Sequence, residues 1–395
     1  MVRTGFRKLF YKYKLLKWVL HFLYYRQITR WLKHDINLIQ SEDFKDKADW
    51  SSTLIKCETI KFIPAISFKN SLNEQFRFFE GKTFSLRNIN LGRFYKAYLI
   101  GPEAVGISKE GAIIIDTVLN RKSLVMKCSP RLIQNHQNLK TDRHIEHAIS
   151  LINIYVNNHY VNYFHWLLET LPLLYLVQFI DIKPKLVVNQ RLTDYQIDTL
   201  HYFNYSEDDL IYWDYQKVNV ENLYVMSTIR TPCEWDEVFS PTVLKWLRGK
   251  FISADAPKNK RIYISRGKSG SRRVINEPEL VELLKTFGFL TVYLEDLTFK
   301  EQVSLMQESE IIVSSHGAGL TNMLFSKEAT IIELLGNLEG KPPYYYSLYY
   351  LLTQSLGLRY AYLECPYIAL QQPVKQGYDI IVLLDDLEKL LSRFI

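Results

Sequence analysis

The residues best suited to chemistry lie between Glu310 and Leu335. An apolar strand from Ile311 to Val313 leads into the turn His316-Gly317-Ala318-Gly319. A short helix is expected next, then a second strand from Ile331 to Leu335. A strand that ends in a glycine-bearing turn at a helix start is built for anions. The glycines let backbone approach a ligand, and the N–H groups at the helix start point at it. The turn also falls at the carboxyl end of a strand, where open α/β sheets bind ligands. It is neither a G-x-G-x-x-G fingerprint nor a P-loop, because no Lys-Ser/Thr follows. A phosphate-bearing ligand, a nucleotide first, is the expectation. The alternative is a turn that merely needs glycine.

A second cluster follows another expected strand end, in Ser265-Arg266-Gly267-Lys268-Ser269-Gly270-Ser271-Arg272-Arg273. Guanidinium groups hold phosphate bidentately and keep their charge. Arg266, Arg272 and Arg273 facing the His-Gly-Ala-Gly turn would clamp a diphosphate and stabilise it as a leaving group. Otherwise they form a solvated basic loop. His165 and Glu169 are four apart and share a helix face. A carboxylate beside an imidazole fixes its tautomer and is expected to raise its pKa, which suits a general base. A structural His–Glu pair is the other reading. Glu333 sits in an apolar strand, where a carboxylate costs free energy unless paired. Ribose hydroxyls or a buried salt bridge could supply the partner. No Asp-x-Asp metal–diphosphate pattern occurs, and Glu234-Trp235-Asp236 comes nearest.

These groups need a scaffold, and the second half of the chain reads most clearly. Strands are expected at Arg261–Ser265, Leu290–Leu294, Ile311–Val313 and Ile331–Leu335. Between the first two lies a helix capped by Asn276, with Pro278 in its first turn, Glu279 at the capping-box position and an end at Gly288. Thr298 and Glu301 form a second capping box. This alternation predicts a parallel, doubly wound sheet. In the first half, apolar runs between Phe94 and Thr117 are broken by Gly101, Gly106 and Gly111. A helix runs from about Phe164 to Phe179, with Leu167, Leu168, Leu171 and Leu174 inward and a kink at Pro172. Strand, helix, strand, strand then follow at Lys185–Val188, Asp194–Phe203, Asp209–Trp213 and Leu223–Met226, which reads as an α/β half. Residues 35–90 resist assignment.

A chain of 395 residues suggests two domains. The expected division is a basic arm (1–34), an N-terminal α/β acceptor-side domain (35–240), a crossing with the helix Val243–Phe251 (241–258), and a C-terminal nucleotide-binding domain (259–395). The final helix is expected to be able to pack back on the N-terminal domain. Aromatic content is 14%, with 27 Tyr, which suits sugar clefts and ordinary cores alike. Cys57, Cys128, Cys233 and Cys365 lie far apart, which excludes a dense disulfide framework and a Cys-rich zinc site and fits a reducing cytoplasm. Neither His144/His147 nor His159/His165 has the spacing of a zinc hydrolase, so no metal and no cofactor is expected.

Residues 1–34 hold nine Lys or Arg and no acid, leaving 40 basic against 42 acidic residues in the rest. Phe6, Leu9, Phe10, Tyr13, Leu16, Leu20, Leu23, Tyr24 and Trp31 share one side of a helix. Such a basic amphipathic arm suits an anionic membrane surface, or else the protein's own body. Its longest uncharged run, Trp18 to Tyr25, falls short of the ~20 residues of a membrane span, and no signal-peptide cleavage site is visible. With no basic excess in the body, nucleic acid is not an expected partner.

Together, Phe164-His165-Trp166-Leu167-Leu168-Glu169-Thr170-Leu171-Pro172, Ile264-Ser265-Arg266, Arg272-Arg273 through Asn276-Glu277, His316-Gly317-Ala318-Gly319-Leu320 with Asn322, and Glu333 resemble the ordered motifs of glycosyltransferase family 61. Its bacterial members are often capsular polysaccharide biosynthesis proteins. The segment Tyr344–Tyr360 also fits, and the resemblance covers roughly residues 95–365. It implies a GT-B-like fold, two Rossmann-like doubly wound domains facing a cleft. It also implies inverting, metal-independent transfer from a nucleotide sugar, usually a UDP-sugar, to a saccharide or lipid-linked saccharide acceptor. Arg266, Arg272, Arg273, His316, Gly317, Ala318, Gly319, Asn322 and Glu333 would bind the donor, with His165 and Glu169 facing the cleft from the acceptor side. Gly267 stands where many relatives carry a second Arg, and the secretory anchor of eukaryotic relatives is not seen. The expectation is a bacterial enzyme of capsule or other surface polysaccharide synthesis, peripheral on the inner face of the plasma membrane. A pyruvyl or other non-glycosyl transferase on a similar scaffold, and a catalytically silent assembly module, are the rivals.

Overall fold

Two sheets organise the chain in a computed structural model that describes residues 37–67, 74–118, 140–152, 156–157, 160–214, 217–233, 236–253, 256–336, 347–369 and 377–395. The basic arm expected over 1–34 lies outside these residues. Among them no helix is long and apolar enough to cross a membrane.

The first sheet runs in the order Leu38–Ile39, Ile113–Ile114, Val105–Ile107, Ile89–Ile100, Lys217–Met226, His144–Ser150, Lys185–Val188, Leu210–Tyr212, with Trp50–Ile55 also paired to Ile89–Ile100. It is mixed, which corrects the doubly wound first half. The strands His144–Ser150, Lys185–Val188, Leu210–Tyr212 and Lys217–Met226 are mutually parallel. Ile89–Ile100, Val105–Ile107 and Ile113–Ile114 form antiparallel neighbours instead. The reason is local. Gly101 and Gly111 take φ of 71° and 85° in tight turns, and a tight turn can join only antiparallel strands.

The second sheet is parallel throughout, in the order Phe289–Val292, Lys260–Ile264, Ser309–Ser315, Thr330–Gly336, Arg359–Cys365, Ile66–Ser67. The predicted strands and their alternation with helices are found. The helix Phe299–Gln307 carries the expected Thr298–Glu301 box. The cap at Asn276 is not formed. Its side chain instead pairs with the backbone of Val382, donating to the carbonyl and accepting from the N–H, both at 2.9 Å. The order reverses between Lys260–Ile264 and Ser309–Ser315. That is the topological switch point, where open α/β sheets bind ligands at the carboxyl ends of their strands.

The helical segment 163–179 buries Leu167, Leu168, Leu171 and Leu174 as expected. Pro172 does not simply kink it. Trp166–Thr170 widens to a π-turn, with Leu171 N–H bonded to Trp166 C=O, and Leu171–Phe179 tightens to a 3₁₀ helix. A proline ring clashes with the carbonyl four residues back and offers no N–H, so the chain changes helix type on either side of it.

One apolar cluster joins the halves. It includes Leu168 and Leu171 of that segment, Val243 and Leu247 of the helix Pro241–Phe251, and Ile262 and Leu320 of the second sheet region. Within it Arg248 donates to Leu324 O (2.9 Å) and Leu356 O (3.0 Å). The segment before residue 90, unreadable in sequence, crosses between the halves. Ile66–Ser67 extends the second sheet, and Phe76 and Phe79 pack on Tyr350. The final helix, Leu384–Leu391, buries Leu387, Leu390 and Leu391 in the second sheet's own core, among Tyr263, Val313 and Leu363, rather than on the N-terminal half.

Candidate active site

The switch point carries the two sequence clusters. Arg266 follows the Lys260–Ile264 strand, and His316 follows Ser309–Ser315. Arg266 donates to Ser269 Oγ (2.7 Å) and twice to Ser271 O (3.1 and 3.3 Å). Its guanidinium lies against Gly317. A Cβ there would stand 2.8 Å from Cζ and 3.3 Å from Nε, with Nη1 nearer still. Gly317 has φ of 173°, an extended value open to any residue, so it is glycine for room and not for conformation.

Arg272 takes a left-handed φ of 59°, a cost of about 1–2 kcal/mol for a residue with a Cβ. Its N–H bonds Tyr378 O (2.6 Å) and its carbonyl accepts from Ser315 Oγ (2.7 Å), which fixes that backbone beside the turn. Among the described residues no carboxylate lies within ion-pair distance of Arg266 or Arg272. Burial first, and then the Arg272 charge, lower the pKa of Arg266. Two guanidinium groups that repel each other in a partly buried place make an anion site.

The turn adds backbone donors. The 3₁₀ helix Ala318–Phe325 opens with Leu320 N–H bonded to Gly317 O (2.9 Å). The amides of Ala318 and Gly319 precede that bond and find no backbone acceptor among the described residues. Gly267 also has a steric reason, since a Cβ would lie 3.0 Å from Glu277 Oε2 and 3.3 Å from Ser265 Oγ.

His316 is held from both sides. Its Nδ1 lies 2.5 Å from Glu333 Oε1, and Tyr360 donates to Glu333 Oε2 at 2.6 Å. Glu333 is fully buried, with a protein partner on each oxygen. Of the two readings open in sequence, the buried pair is the one formed. The Tyr349 ring packs on the imidazole at 5.0 Å, and its hydroxyl bonds Gly317 O at 2.6 Å.

The 163–170 segment faces this turn. Tyr163 Oη donates to Asn322 Oδ1, and Asn322 Nδ2 donates to Gln302 Oε1 (2.9 Å). Asn322 is therefore a buried tie between the halves. His165 Nδ1 lies 2.8 Å from Glu169 Oε2. Arg230 pairs with Glu169 Oε1 and with Glu237 Oε2. The expected rise in the His165 pKa is reversed. Burial and then the Arg230 charge push it down to about 4, so the imidazole is neutral near pH 7. Arg230 spends the Glu169 charge that would have raised it.

Arg273 does not join the cluster. Its backbone N–H and guanidinium turn to Asp379, with Nη2 at 2.7 Å from Oδ2. The left-handed residue before it sends successive side chains apart. Sequence reading missed Arg230, Tyr349 and Tyr360, which no local pattern marks. It met Asp236 only in Glu234-Trp235-Asp236, as the nearest approach to an Asp-x-Asp pattern.

The glycosyltransferase 61 family profile matches residues 163–332. That span holds His165, Glu169, Arg230, Arg266, Arg272 and the His316 turn, and stops one residue short of Glu333. The chain is 34% identical over 113 residues to the EGF domain-specific O-linked N-acetylglucosamine transferase of Gallus gallus, covering 27% of this chain and 21% of that protein. It is 38% identical over 85 residues to the protein O-linked-mannose beta-1,4-N-acetylglucosaminyltransferase 2 of Mus musculus, covering 20% and 15%. With the Xenopus laevis form of the latter it shares 32% over 138 residues, or 34% and 23%. The chain thus spans less than a quarter of the length of these curated relatives. Both comparisons support a glycosyltransferase. These relatives are animal proteins, and they lend no support to a bacterial capsular type.

Proposed function

We propose that this chain transfers a sugar from a nucleotide sugar, a UDP-sugar first, to a saccharide-bearing acceptor, with inversion and without a metal ion. The observation that carries the reading is the pair Arg266 and Arg272, without carboxylate partners among the described residues, set at the switch point against the Gly317 turn. A diphosphate there would meet two guanidinium groups and the amides of Ala318 and Gly319. As the bond from the anomeric carbon to the diphosphate oxygen breaks, charge builds where those donors already point. Tyr349 and Glu333 hold the turn and His316 in place for it.

The names of the relatives put UDP-N-acetylglucosamine at the head of a test panel. UDP, GDP, CMP and phosphoenolpyruvate are compared by calorimetry, and the matching nucleotide sugars by hydrolysis. UDP binding that weakens at least tenfold in Arg272→Ala is expected. Binding of phosphoenolpyruvate alone would favour a pyruvyl transferase, and nucleotide binding without turnover a silent module.

The setting is part of the same proposal. The basic arm over residues 1–33 would hold the enzyme on an anionic membrane, on its cytoplasmic face, beside a lipid-linked acceptor of a growing surface polysaccharide. Deletion of residues 1–33 is then expected to release the protein from phosphatidylserine-containing vesicles at low salt. Unchanged vesicle binding would refute that role.

A further inference from the structure

The hairpin between the two halves carries a carboxylate that nothing above uses. Its strands Arg230–Pro232 and Glu237–Phe239 pair antiparallel. Cys233 N–H closes the turn on Asp236 O at 2.8 Å. Asp236 Oδ1 accepts from Glu237 N–H at 2.9 Å. Its Oδ2 is buried and has no hydrogen-bond partner among the described residues. A buried carboxylate oxygen left unpaired costs about 1–3 kcal/mol or more and asks for an explanation.

The surroundings supply one. Arg230, paired with Glu169 and Glu237, anchors one strand of the hairpin. Phe239 anchors the other, with its ring 6.3 Å from Phe164. Phe164 in turn packs on Tyr349, and Tyr349 on His316. Burial pushes the Asp236 carboxyl up to about 6, while the charges of Arg230 and His316 pull it the other way. Through Phe239, Phe164 and Tyr349 the hairpin packs towards the His316 turn, and Asp236 lies near enough to His316 to feel its charge. The other bases are less suited. The His165 pKa is pushed down to about 4, with Nδ1 on Glu169. His316 belongs to the donor turn itself, with Nδ1 held by Glu333.

We propose that Asp236 is the base of the transfer, its unpaired Oδ2 accepting the acceptor-hydroxyl proton. This rests on the nucleotide-sugar reading above. The acceptor oxygen forms a bond to the anomeric carbon. The bond from that carbon to the diphosphate oxygen breaks, and its electron pair leaves with the diphosphate beside Arg266 and Arg272. The proton passes to Asp236 Oδ2. His165 is then a positioning residue, acting through Glu169 and Arg230.

The test uses the full chain and whichever sugar of the panel the wild type hydrolyses. Asp236→Asn is expected to lower turnover by about 100-fold or more while UDP affinity stays near wild type. Asp236→Ala supplied with azide, a nucleophile that needs no deprotonation, is expected to recover turnover as glycosyl azide. Turnover of Asp236→Asn near the wild-type rate would overturn the proposal. So would a loss that azide leaves unrepaired, or a loss that comes with failed UDP binding or a collapsed melting transition in both variants. A wild type that neither binds nucleotide nor hydrolyses any sugar of the panel would instead bring down the reading beneath it.

Discussion

Replacing Gly317 by alanine separates room from conformation at the heart of the site. Extended backbone at φ 173° accepts an alanine without strain, and a stiffer unfolded chain returns about 0.4–1 kcal/mol. The new methyl would occupy the place of the Arg266 guanidinium, 2.8 Å from Cζ. A long side chain can swing away, so the fold survives. What is lost is its bonding to Ser269 and Ser271, worth about 1–2 kcal/mol in all because the partners are neutral and the guanidinium regains water. Stability should therefore fall by no more than about 1.6 kcal/mol. Binding should suffer more. A charge-assisted contact to phosphate is worth about 1.5–3 kcal/mol, so the UDP dissociation constant should rise about 10- to 150-fold. Isothermal titration of UDP against Gly317→Ala, Arg266→Ala and wild type measures this. Gly249→Ala is the control, since a methyl there would meet nothing within 4 Å and would lie on the helix Pro241–Phe251, away from the turn. Wild-type affinity in Gly317→Ala would refute the reasoning, because the guanidinium could not then be where the phosphate is held.

Three further outcomes follow from the buried charges. Tyr360→Phe removes one of the two groups that satisfy buried Glu333 and should cost about 1.5–3 kcal/mol in urea denaturation; a smaller loss would mean water replaces the hydroxyl. Arg230→Met leaves Glu169 buried without its cation, which should cost about 3–5 kcal/mol. In the same variant the His165 pKa should rise from about 4, which imidazole NMR titration would follow. The folded pKa of His165 lies below its unfolded value of 6.5, so its contribution is intact above pH 6.5 and is lost as pH falls towards 4. By pH 4 the loss approaches about 3 kcal/mol. Asp116 and Asp236, raised by burial to about 7 and about 6, act in the opposite sense over that range, so the wild-type curve alone does not isolate the histidine. The difference between wild type and His165→Gln does, and parallel pH curves would contradict the assignment.

The second sheet was legible because each of its strands is a short apolar run bounded by its own punctuation, such as Thr298 with Glu301 or the glycines after Ser315. The His316 turn and Arg266 were legible for the same reason, being local patterns at strand ends. What failed was non-local. Whether His165 gains or loses basicity depends on Arg230, which is 61 residues from Glu169 in sequence. Asn276 has the type and place of a helix cap, yet a distant strand end at Val382 competes for its amide. Arg272 and Arg273 look equivalent in sequence, and only the positive φ of the first and Asp379 near the second divide them. The mixed first sheet was implicit in Gly101 and Gly111, whose tight turns leave no length for a crossover.

The strand Ile66–Ser67 also bears on the order of events in folding. It closes the edge of a sheet whose other strands all lie beyond residue 259. The neighbouring bonds Tyr350 Oη to Ile63 O and Ile63 N–H to Gln354 Oε1 span 287 and 291 residues. During synthesis, the piece made early must wait for a partner made near the end. Contacts of such separation are slow to form, and until then the Arg359–Cys365 strand offers a bare edge to any other chain. Refolding should therefore show a late phase sensitive to protein concentration. A fragment that starts at residue 259 should aggregate where the longer chain does not.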